Sequence, residues 1–310
     1  MCHIEQKGNH GEGASVVDPF RGGAWTDRKV RALYRYMLEY MRLMRDKPNP
    51  LRPFKKLYFD AFCGSGGRLS ADFPLLGGDE ISAVAATSPR AALKVSPRFD
   101  EYYFYDVRRQ FVDKLRQALA GEGHDLSNCR FGVGDANAEI SGFCSRINWA
   151  SSRCVMFLDP LGLQVEWATL ETVARTRAID LWYLFPARLG PLRMTPKSGE
   201  VPDAWAERLT RIWGDASWMQ VAYSVGSDQL SLLDEEEPRL IKTGKAVEFE
   251  LAFIERMKGI FGGVTDTGLR LVNSRGSHMF SLIFACANDR PAAVGPALRI
   301  ANHIVTMKDI

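Results

Sequence analysis

Lys56-Leu57-Tyr58-Phe59-Asp60-Ala61-Phe62-Cys63-Gly64-Ser65-Gly66-Gly67 decides how this chain is read. A short apolar run ends in an aspartate and then in a glycine-rich turn. Such a run is the signature of a buried parallel strand whose carboxyl end opens into a ligand crevice. The glycines can take positive φ and let backbone approach a ligand closely.

Several readings compete for the turn. A phosphate loop needs Lys-Ser/Thr after its last glycine, and none follows. A nicotinamide or flavin fingerprint needs a third glycine opening a helix, but Leu69 holds that place and Asp72, Phe73 and Pro74 follow. An S-adenosylmethionine (AdoMet) site uses a looser glycine turn after an acidic strand end. An ordinary tight turn in an α/β sheet would look the same. Cys63 reads as a small buried residue of the turn rather than a nucleophile.

Working outward, the pattern repeats. Strands are predicted at 102–105, ending in Asp106; at 129–133, ending Gly134-Asp135-Ala136-Asn137; at 154–158, ending Asp159-Pro160-Leu161-Gly162; and at 179–185, closed by Pro186. A helix follows each of the first three, the first carrying Val107, Phe111, Leu115 and Leu119 on one face. Ser88-Pro89 predicts an N-cap with proline at the first helical position. Strand–helix alternation implies a parallel sheet covered on both faces, with ligands at the carboxyl ends of the strands. One aspartate there is an ordinary turn residue; four at one edge are a stronger signal.

From 187 to about 266 the alternation stops. Helices are predicted at 203–213 and 245–261 around an exposed acidic loop, Asp234-Glu235-Glu236-Glu237-Pro238. This reads as a helical insertion that would carry substrate or partner specificity. Its Trp205, Trp213 and Trp218 read as core residues, with base stacking as the alternative. Two strands at 268–272 and 279–287, joined by Asn273-Ser274-Arg275-Gly276-Ser277, predict a terminal antiparallel hairpin before a closing helix at 293–306. The expected organisation is a disordered tail over 1–24, an α/β core over 25–186, the insertion over 187–266, and a hairpin and helix over 267–310 that complete the core.

Val30, Leu33, Tyr34, Met37, Met41 and Met44 fall at helical spacing behind a Thr26 or Asp27 cap. Between residues 28 and 56, ten Lys or Arg stand against Glu39 and Asp46. That excess is either a solvated face or a surface for nucleic-acid phosphate, with Arg28, Arg31, Arg35 and Lys55 as its contacts.

Over 310 residues, 46% hydrophobic and 25% charged residues and a net charge of +3 describe an ordinary globular chain with length for a full core. The six cysteines show no CxxC pair and no zinc spacing, so reduced thiols, no metal and a cytoplasmic setting are expected. No apolar run approaches a membrane span, and no signal-peptide pattern opens the sequence.

Five parallel strands with a terminal antiparallel pair resemble the Rossmann-like class I AdoMet-dependent methyltransferases. The resemblance implies that Asp106 bonds the ribose hydroxyls, that Asp135 and Ala136 meet the adenine, and that Asp60, Phe62, Gly64, Ser65 and Gly66 hold the methionine end. Asp159, with Pro160, would be catalytic, orienting the acceptor beside the cofactor. Amino-group methyltransferases end this strand Asp/Asn-Pro-Pro-Tyr/Phe; here the second proline and the aromatic are replaced by Leu161 and Gly162.

The chain also resembles a bacterial methyltransferase-like family, the three-Cys-motif partner (TcmP) proteins. The carrying segments are Tyr58-Phe59-Asp60-Ala61-Phe62-Cys63-Gly64, Ser88-Pro89-Arg90-Ala91-Ala92-Leu93, Phe157-Leu158-Asp159-Pro160-Leu161-Gly162, Asp180-Leu181-Trp182-Tyr183-Leu184-Phe185-Pro186 and Arg211-Ile212-Trp213-Gly214, with Phe280 to Ala285 near the end. This resemblance implies S-adenosylmethionine as cofactor and a three-cysteine, radical-AdoMet-like protein as partner. Two functions are therefore expected: an AdoMet-dependent methyltransferase acting on nucleic acid with that partner, or a non-catalytic methyltransferase-fold module or scaffold for it.

Overall fold

The structure, a computed structural model, describes residues 24–66, 87–225, 240–273 and 275–307. The predicted tail ahead of residue 24, the stretch from Gly67 and Leu69 to residue 86, and the acidic loop at 234–238 lie outside these.

The central sheet contains β1 (Lys55–Asp60), β2 (Glu101–Asp106), β3 (Cys129–Val133), β4 (Ser152–Leu158), β5 (Ile179–Phe185), β6 (Gly263–Val264), β7 (Leu269–Val272) and β8 (His278–Cys286). Its order is β6-β8-β5-β4-β1-β2-β3, with β7 pairing β8 beyond β6. β1 to β5 are parallel; β8 runs antiparallel to β5 and to β6 and β7. This is the mostly parallel, Rossmann-like sheet that the sequence predicts, with β8 inserted between β5 and the edge.

Alternation along each strand supplies two cores. Leu57 and Phe59 of β1, Met156 and Leu158 of β4, and Leu181 and Tyr183 of β5 face one side. There they meet α4 (Ala136–Arg146), α5 (Trp167–Arg175) and α8 (Ala246–Lys258), with α6 (Asp203–Trp213) and α7 (Trp218–Ala222) packed outside. Tyr58, Val155, Phe157, Trp182 and Leu184 face the other. That side is covered by α1 (Ala24–Leu43), α2 (Ser88–Lys94), α3 (Arg109–Gly121) and α9 (Pro291–Thr306). No helix among the described residues is long and apolar enough to cross a membrane.

The segment expected as an insertion divides in two. α8 buries Phe249, Phe253, Ile254 and Met257 in the same core as β5, as a crossover helix would, and β6 already pairs with β8 at Gly263. A helical turn at Arg188–Leu192, α6, α7 and a short antiparallel pair, 223–225 with 240–242, stand outside that alternation among the described residues. Trp213 and Trp218 are buried and donate to Ser217 and Thr210, whereas Trp205 is 40% exposed.

Three local expectations change. α1 starts at Ala24, ahead of the Thr26 or Asp27 cap, and Asp27 instead sits in its first turn. Thr87, not Ser88, holds the N-cap position of α2. Val107 does not join α3: the Asp106 carboxylate accepts from the Arg108 amide at 2.9 Å, so residues 106–108 turn before the helix begins at Arg109. The buried face of α3 is Val112, Leu115 and Leu119.

Candidate functional site

Register places the acidic strand ends together. Asp60 lies opposite Phe157 of β4 and Phe104 of β2, and Asp106 lies opposite Val133 of β3. A cavity of about 550 Å3 opens at this carboxyl edge, within the usual range of about 300–1,000 Å3 for small-molecule sites. Phe62, Gly64, Ser65, Gly66, Asp106, Asp135, Ala136 and Asp159 line it. Pro160 is buried beside Asp159 and is not among the lining residues.

Asp60 sits beneath the floor, fully enclosed. Its carboxylate accepts from the Ser88 hydroxyl at 2.5 Å and from the Phe62 amide at 3.0 Å, so it shapes the turn rather than facing the cavity. Burial pushes its pKa up to about 7, and nearby Asp159 adds to the rise, while the Ser88 and Phe62 hydrogen bonds and Lys29 oppose it. A carboxyl whose folded pKa exceeds its unfolded value stabilises the fold at acid pH, and the contribution is lost as pH rises toward the folded value. The Asp60 contribution therefore falls between about pH 4 and about pH 7. Asp60→Asn keeps an acceptor and removes the ionisation. Denaturant unfolding at pH 5 and pH 8 should show the variant gaining relative to the native chain at the higher pH, by on the order of 3 kcal/mol. A pH-independent difference would rule out this assignment.

Beyond Asp60 the backbone turns sharply. Gly64 and Gly66 both have φ of 65°, the left-handed region that glycine tolerates. A Cβ on Gly66 would stand 2.7 Å from the Leu115 side chain; at Gly64 there is open space. The turn is tied to β2: the Gly64 amide donates to Asp106 at 3.3 Å and the Cys63 amide to the Tyr105 carbonyl at 2.9 Å. Burial pushes the Cys63 thiol far above its ordinary range, which removes it as a nucleophile.

Asp106 is 4% exposed yet lines the cavity. The Arg108 guanidinium rests on it, with Nε at 3.0 Å and Nη2 at 3.3 Å, and also covers the Phe111 ring at 3.6 Å. Val107, 62% exposed, and Phe111 add apolar wall. Across the cavity, Asp135 caps α4 by accepting from the Asn137 and Ala138 amides at 3.0 and 3.1 Å. Asn137 then ties α4 to the loop after β4, donating to the Gln164 carbonyl at 2.9 Å and accepting from the Glu166 amide at 3.0 Å.

At the far side, Asp159 forms an ion pair with Lys29 of α1. Lys29 is 7% exposed, and sequence reading missed it. Its signal was available: Lys29 falls four residues before Leu33 and eight before Met37, on the apolar stripe of the helix. The remaining basic candidates do not gather. Arg28 and Arg31 lie near the same helix end, and Arg35 reaches the Met307 sulfur. Lys55 begins the strand that Asp60 ends, so it sits about 17 Å away at the opposite edge, paired with Glu101 at 2.8 Å.

No family model and no curated protein matches the chain. Among solved structures it is similar to protein LPL1258 from Legionella pneumophila str. Philadelphia 1, at 12% identity over 90% of this chain and 91% of that one, with a TM-score of 0.47. It is similar to the DszA carbon methyltransferase at 13% identity over 87% of this chain and 56% of that one, with a TM-score of 0.44. The magnesium protoporphyrin IX methyltransferase of Synechocystis PCC 6803, solved with SAH bound, shares 14% identity over 84% of this chain and 83% of that one, with a TM-score of 0.36.

Proposed function

We propose that the chain is an S-adenosylmethionine-dependent methyltransferase. One observation carries this reading: a single cavity collects the Gly64–Gly66 turn, Asp106, the Asp135–Ala136 helix start and Asp159. The donor set fits the cofactor. With the Arg108 guanidinium swung aside, Asp106 offers two carboxylate oxygens to a pair of vicinal hydroxyls, and the open side of Gly64 leaves backbone within reach of a ligand. Val107 and Phe111 give an adenine apolar surface beside the Asp135–Ala136 amides. When bound, the cofactor supplies a sulfonium methyl, already a good electrophile. The chain's task is then to position the acceptor and exclude water. Asp159 would hold an acceptor hydrogen, with Lys29 fixing the orientation of its carboxylate.

The acceptor we propose is nucleic acid, with a three-cysteine-motif protein as working partner, as the TcmP resemblance implies. Arg28 and Arg31 near the start of α1, with Arg35 one turn further along the helix, support the first part. Binding to nucleic acid should weaken with salt. Arg31→Glu with Arg35→Glu should lower the magnitude of the log–log salt slope by about two, one per phosphate contact. Lys55→Glu, at the other edge and already paired, should leave binding unchanged.

A non-catalytic reading has one observation in its favour: Lys29 already occupies Asp159, and Gly162 stands where an aromatic would stack on a base. Incubation with methyl-labelled AdoMet and RNA, DNA and protein fractions, with and without the partner, separates the two. Label retained in any fraction supports the enzyme. Tight AdoMet binding without transfer under all conditions supports the scaffold.

A further inference from the structure

A second cavity, of about 310 Å3, lies at the amino-terminal edge of the parallel strands, between that edge, α1 and α9. It belongs to none of the chemistry above. Tyr36 and Tyr40 of α1 and Phe54 bring aromatic surface to it, and Ala297 and Ile300 of α9 bring aliphatic surface.

Two polar groups are enclosed there. Asp180, near the start of β5, accepts from the Tyr36 hydroxyl at 2.6 Å. Burial raises its pKa above its ordinary value, against the hydrogen bonds from Tyr36 and Cys286 and the charge of Arg153. The Tyr40 hydroxyl is enclosed without a hydrogen-bond partner among the described residues, in a side chain 6% exposed. A buried orphan hydroxyl is costly, and a native structure seldom leaves one without a ligand or water to meet it. The charge around it is positive. Arg153 stacks on Phe54 at 3.7 Å and spends one terminal nitrogen on the Trp149 and Ser152 carbonyls. Arg290 and Lys47 stand exposed at the rim. Three cations thus line the cavity beside one half-buried carboxyl that is already bonded to Tyr36.

We infer that this cavity binds a small aromatic carboxylate, its ring against Tyr36, Tyr40 and Phe54 and its carboxylate accepting from the Tyr40 hydroxyl among Arg153, Lys47 and Arg290. The pieces suit that class. An aryl body matches the aromatic and aliphatic walls, and only an anion both satisfies the hydroxyl and answers the excess positive charge. A cation would meet three like charges, and a purely apolar molecule would leave Tyr40 unpaired.

The test is calorimetric titration of the full chain with 2-naphthoate and, separately, with 2-naphthalenemethanol, which has the same ring and no charge. Saturable binding of naphthoate at one site is expected, at least tenfold tighter than the alcohol, since a charge-assisted bond is about twice as strong as a neutral one. Tyr40→Phe, which removes only the hydroxyl, should weaken naphthoate about tenfold or more while raising or preserving the melting temperature. Arg290→Ala with Lys47→Ala should weaken it further and flatten its salt dependence. Asp106→Asn, at the other edge, should change nothing. The proposal is overturned by no saturation at millimolar naphthoate, by equal affinity for the alcohol, or by affinity unchanged in Tyr40→Phe. Binding lost in Asp106→Asn instead would place the probe in the first cavity and overturn it equally.

Discussion

Asp106→Ala is expected to abolish AdoMet binding at the concentrations that saturate the native chain. A carboxylate accepting from two ribose hydroxyls makes two charge-assisted bonds, each of about 1.5–3 kcal/mol. Their joint loss corresponds to roughly a 10²- to 10⁴-fold weaker complex. Asp106 also serves the apoprotein: it accepts from the Gly64 and Arg108 amides and receives the Arg108 guanidinium. Truncation therefore leaves donors unmatched and should cost the fold about 1–3 kcal/mol as well. Asp106→Asn is the milder change: its single amide oxygen keeps either the Gly64 or the Arg108 amide bond, which fall on different carboxylate oxygens, and offers one acceptor to the hydroxyl pair. Titration of AdoMet and of its demethylated product, run beside denaturant unfolding, should show both variants folded and both ligands lost together, because both carry the same ribose. Unchanged affinity in folded Asp106→Ala would remove the cofactor assignment.

The strand ends were legible because each is a local pattern: an apolar run, then an acid, then a turn. β3 and β5 fall where the apolar runs predict them, and so do the acids Asp60, Asp106, Asp135 and Asp159. What reading along the chain could not give is pairing between distant segments. Ser88 looked like a cap because Pro89 follows it, yet its hydroxyl serves Asp60, 28 residues earlier. The partner of Asp159 is 130 residues away on α1. Val107 fits the apolar face of a helix by spacing, and only the bond from Arg108 to Asp106 shows why it stands in the cavity instead. Charged residues on apolar stripes mark such pairings in advance. Lys29 is one, and Glu250, with Ile254 and Met257 following on its face of α8, is another.

Glu250→Ala should be the most destabilising single substitution away from the cavity. Glu250 is fully buried, and its carboxylate accepts from the Gly268 amide at 3.0 Å, the Thr267 hydroxyl at 3.0 Å, the Ser281 hydroxyl at 3.0 Å and the Arg270 Nε at 2.8 Å. These donors belong to the turn between β6 and β7, to β7 itself and to β8, so one side chain on α8 locks the edge of the sheet. Ser281 gives its hydrogen to Glu250, which leaves its oxygen to accept from His278 Nε2 at 2.7 Å. Burial holds the His278 pKa below its ordinary value, with the Glu250 charge opposing. A histidine with a lowered folded pKa favours the fold above its unfolded value and loses that contribution as pH falls. Removing the carboxylate deletes the acceptor for four donors and leaves Arg270 without its partner. Arg270 is 42% exposed and can turn to water, but the Gly268 amide and the Ser281 hydroxyl are buried, and each orphaned donor costs about 1–3 kcal/mol. Glu250→Gln keeps the shape and one acceptor and should cost less, while Arg270→Ala in the Glu250→Ala background should recover part of the loss. Urea unfolding of the four chains checks this coupling. A Glu250→Ala cost below about 1 kcal/mol would mean that the edge is held by the β8 ladder alone.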